Sequence, residues 1–92
     1  PAIRRDLAFV VPQDVVADEL CVAVGAAAGG LLQDLVLFDV YAGKGIESGR
    51  KSIAFGLILQ DSSRTLTDQD VEAVLVQVQA ALGDKFGATL RE

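Results

Sequence analysis

The sequence predicts an α+β domain in which a four-stranded antiparallel sheet carries two helices on one face. Three observations predict it. Short stretches alternate apolar and polar residues, two longer stretches repeat apolar residues at helical spacing, and together they follow the order β-α-β-β-α-β.

The first strand is RRDLAFVV, Arg4 to Val11, with Leu7, Phe9 and Val11 on one side and Arg4, Asp6, Ala8 and Val10 on the other. Pro12 closes it, because proline cannot donate to a strand ladder. From about Asp14 to Ala28 the chain turns alanine-rich, with Val16, Leu20, Val24 and Ala27 at helical spacing, and Gly29-Gly30 supplies the stop. LVLFDVY, Leu35 to Tyr41, alternates again: Val36, Phe38 and Val40 share one face and Leu37, Asp39 and Tyr41 the other. KSIAFGLILQ then sets Ile53, Phe55, Leu57 and Leu59 against Ser52, Ala54, Gly56, Ile58 and Gln60, so these two runs make a hairpin. The second helix has the clearest signal. Thr67 caps it, Asp68, Asp70 and Glu72 favour its positive end, and Val71, Val74, Leu75, Val78 and Leu82 form its apolar stripe. GATLRE, Gly87 to Glu92, is long enough for one short last strand.

This order is the ferredoxin-like βαββαβ sandwich. Both helices cover the same face of the sheet, which leaves the other face open. The alternation assigns Arg4, Asp6, Ala8, Leu37, Asp39, Tyr41, Ser52, Ala54 and Gly56 to that open face.

The totals exclude many functions. A chain of 92 residues, 51% hydrophobic and 23% charged, makes one ordered domain. No apolar run approaches the ~18 residues of a membrane span and no signal-peptide pattern opens the chain, so a cytoplasmic location is expected. The first residue is Pro1, which suggests a segment of a longer polypeptide. There is no histidine, asparagine, methionine or tryptophan. Most zinc sites and all histidine-based acid–base devices are thereby removed. The single Cys21 cannot form an internal disulfide and reads as a small buried hydrophobe in the first helix. Charge is sorted by element: residues 13–30 and 67–85 are each −3, whereas residues 1–12 are +1 and 41–52 are +2. Acidic helices and a basic strand end would steer a polyanion towards the sheet.

GKGIESGRKS is not a Walker A loop, because Gly43 and Gly49 have five residues between them, Arg50 intervenes and a strand follows. Its glycines read as positive-φ positions of a flexible hairpin. One cysteine cannot hold an iron–sulfur cluster, and the missing asparagine argues against acylphosphatase chemistry. Asp68 and Asp70 read as helix-start acids rather than a catalytic pair. The third-strand signature of the RNA-recognition motif fits Lys51, Ala54 and Phe55 only, and Phe55 shares the core face of Ile53 and Leu57. Tyr41 differs from these, being an aromatic on the polar side of its strand beside the basic loop, where it can stack on a base.

Three long blocks, PAIRRDLAFVV at 1–11, LFDVYAGKGIESGRKSIAFGL at 37–57 and RTLTDQDV at 64–71, resemble those of the ferredoxin-fold anticodon-binding domain that ends the β chain of phenylalanyl-tRNA synthetase. The resemblance runs nearly end to end. It implies a non-catalytic module that holds the anticodon stem-loop of tRNA(Phe). ATP and Mg²⁺ are then used elsewhere in an α₂β₂ synthetase formed by the rest of the β chain and the α subunit, and this domain needs no cofactor. The family's stacking aromatic falls on Tyr41, with Asp39 and Ser52 as polar neighbours. Lys44, Arg50 and Lys51 are the candidates for phosphate anchoring, and Arg4 and Arg5 for phosphate contact or for bracing Asp6. The glycine-rich connection is expected to keep a mobile, cationic hairpin beside Tyr41. Ala42 departs from the basic residue usual in the family at that place, which weakens backbone contact. Two other readings stand beside this one: a protein–protein or small-ligand regulatory module on the same fold, and a small enzyme, which the missing histidine and asparagine oppose.

Overall fold

The computed structural model describes residues 1–92. The elements are β1 (Ile3–Pro12), α1 (Ala17–Ala28), β2 (Leu32–Tyr41), β3 (Arg50–Leu59), α2 (Asp68–Phe86) and β4 (Thr89–Leu90), with a short 3₁₀ turn at Gly29–Leu31 between α1 and β2. The strands lie in the order β2-β3-β1-β4 and every pairing is antiparallel, giving the ferredoxin-like α+β sandwich. No helix is long and apolar enough to cross a membrane.

The core lies between the helices and one face of the two central strands. Phe9 and Val11 of β1 and Ile53, Phe55, Leu57 and Leu59 of β3 are fully buried there, under Leu20 and Val24 of α1 and Val71, Val78 and Leu82 of α2. The rings of Phe9 and Phe55 stack with centroids 5.9 Å apart. Phe55 is thus a core residue and is lost to any RNA-stacking role.

The ends of α2 are built as its sequence dictates. Thr67 accepts from the Asp70 amide while the Asp70 carboxylate accepts from the Thr67 amide, a reciprocal box that satisfies two otherwise unpaired donors. Arg64 donates to both Asp70 oxygens, at 2.6 and 3.3 Å, which explains the RTLTDQD block as a clasp. At the other end Gly87 takes the left-handed conformation, φ 64°, and the amides of Gly87 and Ala88 return to the carbonyls of Gly83 and Leu82.

The structure departs from the expected pattern in four places. α1 begins at Ala17, because the chain first makes a turn after Pro12, with the Val15 amide on the Pro12 carbonyl, and Val16 stays extended. Asp14 and Val16 therefore lie outside the helix, and Ala28 rather than Ala27 completes the buried stripe. Cys21 is half-buried, and its thiol is pushed up by burial and then by the nearby Asp18 charge, so it is no reactive thiolate. The glycine-rich connection is folded into two successive turns, Gly43 carbonyl to Ile46 amide and Glu47 carbonyl to Arg50 amide, and is tied to Gln13 through the Gly49 carbonyl.

The fourth departure governs the open face. β2 starts at Leu32, and its register against β3 slips at Gln33 and again at Phe38, each an extra residue opposite a continuous partner. Leu37 pairs with Phe55 and so points to the helix side, whereas Val36 pairs with Gly56 and lies on the open face. Past the bulge the phase is reset: Asp39 pairs with Ala54, Val40 with Ile53 and Tyr41 with Ser52. Leu37 thus leaves the expected open face, and Val36 and Phe38 join it. Asp39 and Tyr41 stay there only because the bulge restores them.

Candidate nucleic-acid interface

Opposite residues of antiparallel strands share a face, so the registers define the outward surface. It holds Arg4, Asp6, Ala8 and Val10 of β1, Ser52, Ala54, Gly56 and Ile58 of β3, and Asp39 and Tyr41 of β2. The centre is floored by small residues. Ser52, 3% exposed, lies between its cross-strand neighbours Val10 and Tyr41, and the cross-strand pair Ala8 and Ala54 follows.

Two aromatic positions rise from this floor, both on β2. Phe38 is half exposed and the Arg4 guanidinium sits over its ring, 5.8 Å from the centroid. Arg4 is held there by Asp6 at 2.8 Å, and the pair lies directly over Gly56, where a Cβ would come within 2.8 Å of the Arg4 Nε. Gly56 leaves room for that close approach, and a Cβ there would push the side-chain ends of Arg4 and Asp6 aside. Arg4 and Asp6 thus form a flat, internally neutralised brace.

Tyr41, at the end of β2, donates its hydroxyl to the Lys44 carbonyl at 2.8 Å, and its ring leans over Gly43. Tyr41 as a whole is 37% exposed. Over it, 5.7 Å from the centroid, stands the guanidinium of Arg91, a residue absent from the sequence-based site. The signal for it was present: in GATLRE, Thr89 and Arg91 alternate onto one face, and the Thr89–Val10 pairing makes that face the outward one.

The structure divides the expected cations. Arg4 shares the face of Tyr41, and Lys44 lies in the turn that Tyr41 anchors. Arg5 pairs with Leu57 and Lys51 with Val11, which places both on the helix side of the sheet, away from Tyr41. Arg50 is engaged in the fold: its guanidinium donates to the Val10 carbonyl at 2.9 Å and the Gly87 carbonyl at 3.2 Å, joining β3 to β1 and to the end of α2. Asp14, Asp18, Glu19, Asp68, Glu72 and Asp84 lie along the helical layer or the turns that open it.

A surface of small residues bearing exposed aromatics and guanidinium groups, backed by an acidic layer, is suited to an unstacked nucleobase and its phosphates. The family model described as the ferredoxin-fold anticodon binding domain matches residues 1–91. The chain belongs to this family. It is 52% identical over its whole length to the phenylalanine–tRNA ligase beta subunit of Methylococcus capsulatus, and 50% identical over 99% of its length to those of Xanthomonas euvesicatoria and Xylella fastidiosa. It spans 12% of the length of each of these relatives. As an anticodon-binding-family domain it presents its one tyrosine on the outward sheet face, at the strand end where the hairpin begins.

Proposed function

We propose that this chain is the module of a phenylalanine–tRNA ligase beta subunit that holds the anticodon stem-loop of tRNA(Phe). The observation that carries the reading is the placement of Tyr41 on the outward face, opposite Ser52 and beside Asp39, in a domain of the anticodon-binding family. A loop base stacks on the ring, and polar atoms of Asp39 and the loop backbone meet its edge. Lys44 contributes sequence-independent attraction, Arg4 adds to it when its guanidinium turns from Asp6 to a phosphate, and Lys51 and Arg5 act only on phosphates that pass around the sheet's edge. The module itself carries no chemistry. Aminoacylation with ATP and Mg²⁺ belongs to the rest of a cytoplasmic α₂β₂ ligase.

The test is an NMR titration of the ¹⁵N-labelled chain with the tRNA(Phe) anticodon stem-loop at about 50 and 200 mM salt. Shifts are expected at Arg4, Asp39, Tyr41, Lys44 and Ser52 and not along α1 or α2. With two to three phosphates neutralised, affinity should fall about 5- to 20-fold between the two salt concentrations. Shifts confined to the helical layer, or none at millimolar RNA, would reject the reading and favour a protein- or ligand-binding module.

A further inference from the structure

Arg91 extends the last strand by one residue. Its amide donates to the Ala8 carbonyl at 2.8 Å, beyond the Phe9–Leu90 pair, which sets its side chain on the outward face in line with Ala8 and Ala54. β4 and β2 are the two edges of the sheet, about 14 Å apart at the usual strand spacing of ~4.8 Å. Arg91 and Tyr41 nevertheless meet, reaching towards each other across the central strands, where alanines leave the space free.

This guanidinium differs from that of Arg4 in one respect. Arg4 is bound to Asp6, whereas Arg91 has no carboxylate within ion-pair distance and no side-chain hydrogen bond. An exposed cation held over an aromatic ring and nothing else is free to exchange that contact for a better one. The spacing indicates which. Atoms in contact sit about 3.5–4 Å apart, so a base between two flat groups needs about 7–8 Å between them. The existing 5.7 Å falls short of this by roughly 2 Å, and a withdrawal of that size, within the freedom of one arginine side chain, opens the slot.

We infer that Arg91 is the second wall of a clamp, in which one unstacked RNA base enters between the Tyr41 ring and the Arg91 guanidinium and stacks on both. The inference rests on the reading of the outward face as an RNA surface. Arginine suits this wall because its planar, charged guanidinium stacks on a base, which the compact ammonium of lysine cannot do. In the free chain Arg91 keeps the ring covered, so the clamp is preassembled from both edges of the sheet.

The test uses the 92-residue chain and a fluorescein-labelled tRNA(Phe) anticodon stem-loop, read by anisotropy. Arg91→Ala should weaken binding about 10-fold and Arg91→Lys should recover little of it. Tyr41→Ala with Arg91→Ala should bind within about 2-fold of Tyr41→Ala alone, because both walls act on one base. Without RNA, the Arg91 side-chain protons should show a ring-current shift that Tyr41→Leu removes. Wild-type binding that Arg91→Ala leaves intact, wild-type affinity in Arg91→Lys, or an additive double variant would each overturn the clamp alone. No binding by the wild-type chain would overturn the RNA surface, and the clamp with it.

Discussion

Replacing Tyr41 by alanine and by phenylalanine separates the ring from its hydroxyl, and the proposed function gives each a different task. On that proposal the ring is the stacking surface. Removing it costs ~1–3 kcal/mol per stacked base, which is about 5- to 150-fold in Kd. The hydroxyl holds the Lys44 carbonyl at 2.8 Å and so shapes the turn from Ala42 to Gly49, but this bond is exposed and water replaces it readily. Its loss in Tyr41→Phe is worth at most about 1 kcal/mol of stability, and affinity should stay within about 3-fold of wild type. Tyr41→Ala also uncovers apolar surface. With Tyr41 37% exposed, the uncovering of about 60–100 Å² lowers stability by ~1.5–2.5 kcal/mol at 25 cal/mol/Å², a tolerable share of a domain's total. Far-UV circular dichroism at 15 °C should therefore show both variants folded, and anisotropy with the anticodon stem-loop should rank them wild type, phenylalanine, alanine. A folded Tyr41→Ala chain binding within 2-fold of wild type would refute the stacking argument. A phenylalanine variant as weak as the alanine one would show that the hydroxyl and its turn, not the ring, carry recognition.

Two further outcomes follow from the geometry. In Gly56→Ala the new Cβ meets only the movable ends of Arg4 and Asp6, and the residue gains about 0.5–1 kcal/mol of strand preference, so the unfolding free energy from urea titration should change by no more than about 1 kcal/mol while Arg4 leaves the Phe38 ring. A loss above about 3 kcal/mol would mean that the brace is part of the fold. Asp70 is held well below the usual carboxylate range, first by the Arg64 guanidinium and then by the Thr67 amide and hydroxyl. A depressed folded-state value stabilises the fold above about pH 4 and loses that contribution as pH falls through the lower value. The stability gap between wild type and Asp70→Asn should accordingly be constant from pH 5 to 8 and narrow below pH 4, as urea titrations at pH 7, 5 and 3 would show. A gap that widens at pH 3 would contradict the assignment.

How legible each element was depended on how much of its specification is local. α2 was readable from end to end because Thr67, Asp70 and the Val71–Leu82 stripe act within a few residues of one another. β3 was readable because Ile53, Phe55, Leu57 and Leu59 alternate without interruption. β2 was not. Leu35, Val36, Leu37 and Phe38 are all apolar, so the run carries no phase of its own, and its bulge appears only when it is laid against β3. The start of α1 was misplaced for a similar reason: Asp14 is a plausible cap by type, but the turn after Pro12 and the extended Val16 place it before the helix.

The candidate site divides the same way. Tyr41, Asp39 and Ser52 came together as anticipated, although for Asp39 and Tyr41 this depended on the bulge at Phe38. The cations did not stay together. Arg5 and Lys51 differ from Arg4 and Ser52 by one residue of register, and in a strand one residue is the other face.

By itself, the sequence determined the element order, the apolar faces of β1, β3 and α2, the Thr67 cap and the acidic helical layer, since each arises from spacing along a short piece of chain. Only the tertiary structure decided which residues of β2 face outward, that Arg50 binds the fold together, and that Arg91 reaches Tyr41 from the opposite edge of the sheet. Those features depend on strand register and on distances across four strands, where residues fifty positions apart in sequence meet and no local pattern records it.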